Sequence, residues 1–138
     1  MNRDLIFGPV LVQVLLTLAT YVLLIKAKIR AMKAGEVDMA RRALHDDAWP
    51  ESVMKINNNI RNQFEVPVLF YVLIILLLDT GHASSGFVTA AWAFVGLRTL
   101  HSAIHCTYND VMHRFTVYAL SSLLLWGMWA AFAVKLLS

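Results

Sequence analysis

Cysteine occurs once in the 138 residues, at Cys106, which excludes an internal disulfide and leaves no thiolate cluster for a metal. Charge is scarce too. Only 15% of residues are Asp, Glu, Lys or Arg against 59% hydrophobic, and the mean hydropathy of +0.61 excludes an ordinary soluble domain. The stretch 79–86 has neither lysine nor arginine, and no internal repeat, low-complexity tract or second domain interrupts the chain. No basic and aromatic motif for nucleic acid is present, so no nucleic-acid partner is expected.

Four apolar runs fill the chain instead, at 5–26, 56–78, 87–106 and 115–137, each close to the roughly 20 residues that cross about 30 Å of hydrocarbon. The expected architecture is all-α: one integral membrane domain over 1–138, built as a four-helix bundle. The first run exceeds the ~7 to 15 residue apolar region of a signal peptide and has no clear small-residue cleavage site after it, so it reads as a retained anchor. Lys28, Arg30, Lys33, Arg41, Arg42 and Lys55 all lie in or beside the long connection 27–55. Positive-inside asymmetry therefore predicts that this connection is cytoplasmic, with both termini on the opposite face of a bacterial inner membrane or its equivalent. The net charge of +3 then suits anionic lipid headgroups, and the bilayer is the first expected partner.

Three of the runs carry polar stripes. An ionisable side chain at the bilayer centre costs roughly 2.5 to 3.5 kcal/mol, so such stripes are expected to face protein or water. In the second run Asn58, Arg61, Asn62 and Glu65 share a helical face, which Leu69, Val72 and Leu76 would continue, and Pro67 predicts a kink that frees a carbonyl. The asparagines also fit a capping or packing role, and Arg61 also fits snorkelling to the headgroups. In the third run Arg98, His101, Ser102 and His105 share a face. Glu65 and Arg98 sit at similar depth, about 12 to 13 Å from their helix ends at 1.5 Å per residue, and the expectation is a structural ion pair between them. Arg114, Tyr118, Ser121 and Ser122 lie along the fourth run. A cleft lined by Asn58, Arg61, Asn62, Glu65, His105, Arg114 and Tyr118 would suit a small molecule bearing carboxylates and an amine. Gln13, Thr17 and Thr20 read as inter-helix hydrogen bonds on span one.

The basic first loop, R-N-x-x-E at Arg61, Asn62 and Glu65, R-x-x-H at Arg98 and His101, and Arg114 with Tyr118 four residues on together resemble the MAPEG family. These are membrane-associated proteins in eicosanoid and glutathione metabolism, including microsomal glutathione transferases and prostaglandin E synthase. The resemblance spans nearly the whole chain. It implies a left-handed bundle assembled as a homotrimer, with glutathione between subunits near the cytoplasmic face, and thiol transfer or peroxide reduction on lipophilic small molecules. On that likeness Arg61, Asn62 and Glu65 hold glutathione's polar groups, Arg114 lies near its thiol, Tyr118 matches a tyrosine on the same helix, and Arg98 supports the glutamate. Lys28 stands where members have an arginine at the end of span one. His105 replaces a tyrosine that meets the thiol, Asn58 replaces a basic residue, and Ile60 replaces a polar one; losing a cation predicts weaker anion binding.

Other readings stay open from the residues. A non-catalytic protein that binds lipid or a partner has the same composition, and a small transporter would also bury ionisable groups, although the first run has no acid. His101 and His105 are four apart and can present two zinc ligands, but no third accompanies them at useful spacing, so no metal is expected.

Overall fold

Phe7–Ala34 forms one continuous helix, α1, because its apolar run contains no breaker after Pro9, which occupies the first turn where a missing N–H costs nothing. Gly35 ends it. With φ at 71°, Gly35 donates its N–H to Met32 O (3.2 Å) while Glu36 N–H reaches Ala31 O (3.1 Å), the paired bonds of a Schellman stop. A Cβ on Gly35 would meet no atom within 4 Å, so only the left-handed backbone opposes a side chain there. Gly35→Ala is accordingly expected to cost about 1 kcal/mol, measured as a lower melting temperature in detergent with unchanged helix content.

The computed structural model describes residues 3–137; Met1, Asn2 and Ser138, at the two ends of the expected 1–138 domain, lie outside the described residues. A short turn at Asp46–Ala48 leads into α2 (Glu51–Gln63), followed by α3 (Val66–Asp79), α4 (Ser85–Cys106) and α5 (Val111–Leu137). All regular structure among the described residues is helical. Four stretches are long and apolar enough to cross a membrane: Phe7–Ala34, Glu51–Asp79, Ser85–Cys106 and Val111–Leu137. α5 starts on Asp110, whose carboxylate accepts from His113 N–H at 2.9 Å and so occupies a first-turn donor.

The second span is two helices, not one. Pro67 offers no N–H to the carbonyl four residues earlier, and its ring would crowd that carbonyl, so α2 stops at Gln63 and α3 restarts with Pro67 in its first turn. Burial keeps one phase across the break: Val53, Ile56, Ile60, Gln63 and Pro67 are buried at spacings of three and four residues. Leu69 and Val72, expected to continue the Asn58–Glu65 stripe inward, are exposed, as Asn58, Arg61 and Glu65 are, while Phe70, Leu73, Ile74 and Leu77 are buried.

Those four pack with Phe87, Ala91, Phe94 and Val95 of α4 and Leu125, Met128 and Phe132 of α5, and the Phe70 and Phe94 rings stack at 4.6 Å. A second apolar cluster, Leu24, Ala31, Val37, Val53, Ile56 and Ile60, lies at the opposite, loop-bearing end. In lipid such clusters gain little from apolar burial itself and hold by close van der Waals contact. Gly8 allows such contact beside the first cluster: a Cβ there would stand 2.9 Å from the Trp92 ring, so its absence lets α1 approach α4. Between the two clusters in the order of residues along α1, α2–α3 and α4 comes a layer of buried polar groups.

Candidate functional site

Two polar systems occupy that layer. The first is neutral and closed. Gln13 Nε2 donates to Gln63 Oε1 (2.9 Å), Gln63 Nε2 donates to Ser102 Oγ (2.7 Å), Ser102 Oγ donates to Asn59 Oδ1 (3.2 Å), and Asn59 Nδ2 donates to Cys106 Sγ (3.2 Å). The chain ties α1, α2 and α4 together. Thr17 and Thr20 donate to their own helix, to Gln13 O and Leu16 O; Gln13 makes the link to α2, and the Thr17 hydroxyl also meets the Tyr71 hydroxyl of α3. Gln63→Leu would strip several partners at once. At about 0.6 kcal/mol per interhelical bond in membranes, a loss of about 1 to 2 kcal/mol in detergent unfolding is expected, and an unchanged melt would show the network to be idle.

The second system is charged and open. A cleft of about 410 Å3 has Asn58, Arg61, Asn62 and Glu65 on one wall, His101 and His105 on the second, and Val111, Arg114, Phe115 and Tyr118 on the third. Spacing of three and four residues puts the α2 group on one face, and the break at Phe64–Glu65 leaves Glu65 at the helix junction with its side chain exposed. His101 and His105 are buried one turn apart on α4, their rings 5.6 Å between centroids. The Tyr118 ring lies 5.7 Å from His101 and 5.8 Å from the Arg98 guanidinium carbon, so it caps both.

Arg114 is held from two sides. Its Nη1 donates to Asn109 Oδ1 at 2.7 Å and lies 3.5 Å from His105 Nε2. Guanidinium can only donate, so His105 Nε2 accepts and the ring proton belongs on Nδ1, which has no side-chain partner among the described residues. Arg61 is exposed and pairs with Asp46 from the Asp46–Ala48 turn. Farther along the same connection Arg41 grips both oxygens of Asp47 (3.0 and 2.8 Å), and that hydrogen bonding holds the Asp47 carboxyl below its usual range.

The expected ion pair between Glu65 and Arg98 is not formed. Arg98 is fully buried and donates from Nη2 to Asn62 O at 2.8 Å, while its Nε and Nη1 have no hydrogen-bond partner among the described residues. The reason lies at the break: a carbonyl where α2 ends is a nearer acceptor than the exposed Glu65 carboxylate at the junction. Among the described residues, the ion pairs are Arg41–Asp47, Arg61–Asp46 and His113–Asp110. Lys28 also stands outside the cleft. Its Nζ lies 4.7 Å over the Trp49 ring, and it lines a separate small cavity with Asp46. Asn58, Arg61, Asn62, Glu65, His105, Arg114 and Tyr118 do come together, joined by His101.

The sequence profile of the MAPEG family matches residues 6–134, nearly the whole chain. The chain belongs to the MAPEG family. Neither the curated proteins nor the solved structures include a match to it. Membership and the four apolar helices together make this an integral membrane protein. In this MAPEG chain the cleft opens at the end of the bundle that bears the 35–50 connection, the end where α2 and α5 begin and α4 finishes.

Four contributors to the two polar systems have no counterpart in the sequence-based site. Asp46 lies in a connection without periodicity, and no spacing signals its reach to Arg61. Asn109, with φ at 54°, is the turn residue that positions Arg114. Asn59 and Gln63 fall on the other face of the same Asn-rich run, where neutral amides draw less notice than Arg61 and Glu65 but make the buried contacts.

Proposed function

We propose that the cleft binds glutathione or a related small anionic thiol and promotes its transfer to lipophilic electrophiles, or peroxide reduction, with the protein assembled as a homotrimer. The observation that carries this reading is the convergence of Arg61, Asn62, Glu65 and Arg114 from α2 and α5 on one cleft of about 410 Å3. That volume falls within the roughly 300–1,000 Å3 of small-molecule sites. The donor set suits the ligand. Arg61, Asn62 and Asn58 offer cationic and amide donors to carboxylates, and Glu65 offers an acceptor to an ammonium. Glutathione supplies a thiol, whose ionised form is the nucleophile. Arg114 is the group that favours the ionised form, since a half-buried guanidinium keeps its charge and lies against His105. Asn109 fixes the direction of that guanidinium. Val111 and Phe115, 63% and 61% exposed, form an apolar lip facing the surroundings, an entry for a lipophilic partner.

The positive charge of the 27–55 connection favours a cytoplasmic mouth, where soluble thiols are abundant. Calorimetric titration of detergent-purified protein with glutathione is expected to show saturable binding that Arg61→Ala weakens about tenfold or more, the scale of one lost charge-assisted bond. Heat equal to dilution in the wild type would sink the reading.

A further inference from the structure

A second polar cavity, of about 360 Å3, shares no lining residue with the cleft. The last turns of α1 supply Ala27, Arg30, Ala31 and Ala34 to it. Glu36 closes its rim, α2 adds Ser52, Lys55 and Ile56, and the end of α4 adds Cys106. Its depth follows from the helices. Arg30 lies about 35 Å along α1 from Phe7 at 1.5 Å per residue, and α4 is about 32 Å long where it ends at Cys106, against about 30 Å of hydrocarbon. The cavity therefore opens at headgroup level, with an apolar floor of alanines and Ile56 and a polar wall above.

The wall has two cations and one carboxylate. Lys55 Nζ gives one hydrogen to Thr107 O (2.6 Å) and keeps two more donors; Arg30 is exposed at the mouth; Ser52 adds a hydroxyl. A simple anion would meet Arg30 and Lys55 but leave Glu36 beside its own negative charge. A choline headgroup would give Glu36 no N–H. A phosphate diester with a primary ammonium a few bonds away satisfies all three.

We propose that this cavity is a binding site for the headgroup of an amine-bearing phospholipid, its phosphate between Arg30 and Lys55 and its ammonium at Glu36. The site is independent of the thiol reading, since it uses none of the cleft residues.

Cys106 provides the readout. It is the sole cysteine of the chain, partly exposed, and part of the cavity wall, so a bound headgroup shields it from a water-soluble maleimide. The full-length protein is placed in nanodiscs of phosphatidylcholine alone, or with phosphatidylethanolamine or phosphatidylglycerol added, and the alkylation rate of Cys106 is measured. Phosphatidylethanolamine is expected to slow alkylation about fivefold relative to phosphatidylcholine, the scale of one exposed ion pair, and phosphatidylglycerol less. Arg30→Gln should abolish the protection, and Glu36→Gln should shift the preference to phosphatidylglycerol. Both side chains are exposed, so folding is not at stake. Equal rates in all three nanodiscs would overturn the site, as would protection by phosphatidylethanolamine that survives both substitutions. Equal protection in detergent by soluble glycerophosphoethanolamine would overturn the lipid assignment in favour of a free phosphate ester.

Discussion

Arg114→Ala is expected to lower the turnover of a glutathione-dependent conjugation by about 10²-fold while changing the apparent affinity for glutathione little. The magnitude is that of removing one preorganised donor aimed at developing or resident negative charge. The split between kcat and KM follows from the division of labour in the cleft: Arg61, Asn62 and Glu65 sit on the α2 wall, where the ends of the ligand would be held, and Arg114 sits across from them on α5. The sign of the pH dependence is also fixed. A thiol beside Arg114 ionises below its free value, so the rate rises to its plateau at a pH under about 8.5; without Arg114 the thiol returns toward that value and the rising limb moves up in pH. At high enough pH the variant should approach the wild type. Asn109→Ala should move the limb in the same direction by less, because it frees the guanidinium from its 2.7 Å anchor without removing the charge. Turnover in Arg114→Ala equal to the wild type at neutral pH, with Arg61→Ala still impaired in binding, would mean that the sulfur lies elsewhere in the cleft.

The spans were legible because each is a long apolar run, and the residues of the cleft because spacings of three and four residues project them from single faces of α2 and α5. Pro67 marked the kink but not its consequences. The stripe from Asn58 to Glu65 runs on to Leu69 and Val72 on the same exposed side, but a constant 100° per residue carries no sign that the helix stops at Gln63 and restarts at Val66. Glu65 and Arg98 were paired by depth and charge, a rule that leaves out backbone carbonyls; at an intact helix carbonyls are spoken for, and only at a break does one compete. Asp46 and Asn109 belong to connections, whose contacts depend on the tertiary path and leave no period in the sequence. The amide and hydroxyl network from Gln13 to Cys106 was half visible, since Gln13 in an apolar run demands a partner, whereas the choice of Gln63 over the neighbouring asparagines depends on where α2 lies against α1.

Arg98→Met, which keeps most of the buried volume but has no donor, is expected to destabilise the protein by about 2 kcal/mol, the cost of leaving a buried carbonyl unsatisfied. Two effects oppose each other. Arg98 is a desolvated cation whose Nε and Nη1 have no hydrogen-bond partner among the described residues, and removing it relieves that burden; yet it also closes the break by bonding Asn62 O and packs under Tyr118. The carbonyl decides the balance, because in the membrane interior no water replaces the lost donor, whereas a guanidinium can share its charge with the Tyr118 ring. Arg98 and Pro67 are therefore interdependent. Pro67→Ala restores an N–H that can accept the role of continuing the ladder, and an unbroken helix brings Val66 N–H to Asn62 O, so Arg98 is no longer needed there. In the Pro67→Ala background the cost of Arg98→Met should therefore fall below about 1 kcal/mol, a coupling within the range seen for residues sharing a partner. The cycle is read from unfolding in mixed detergent micelles. Strict additivity would show that Arg98 acts through its charge or through Tyr118, and that the break at Phe64–Glu65 stands without it.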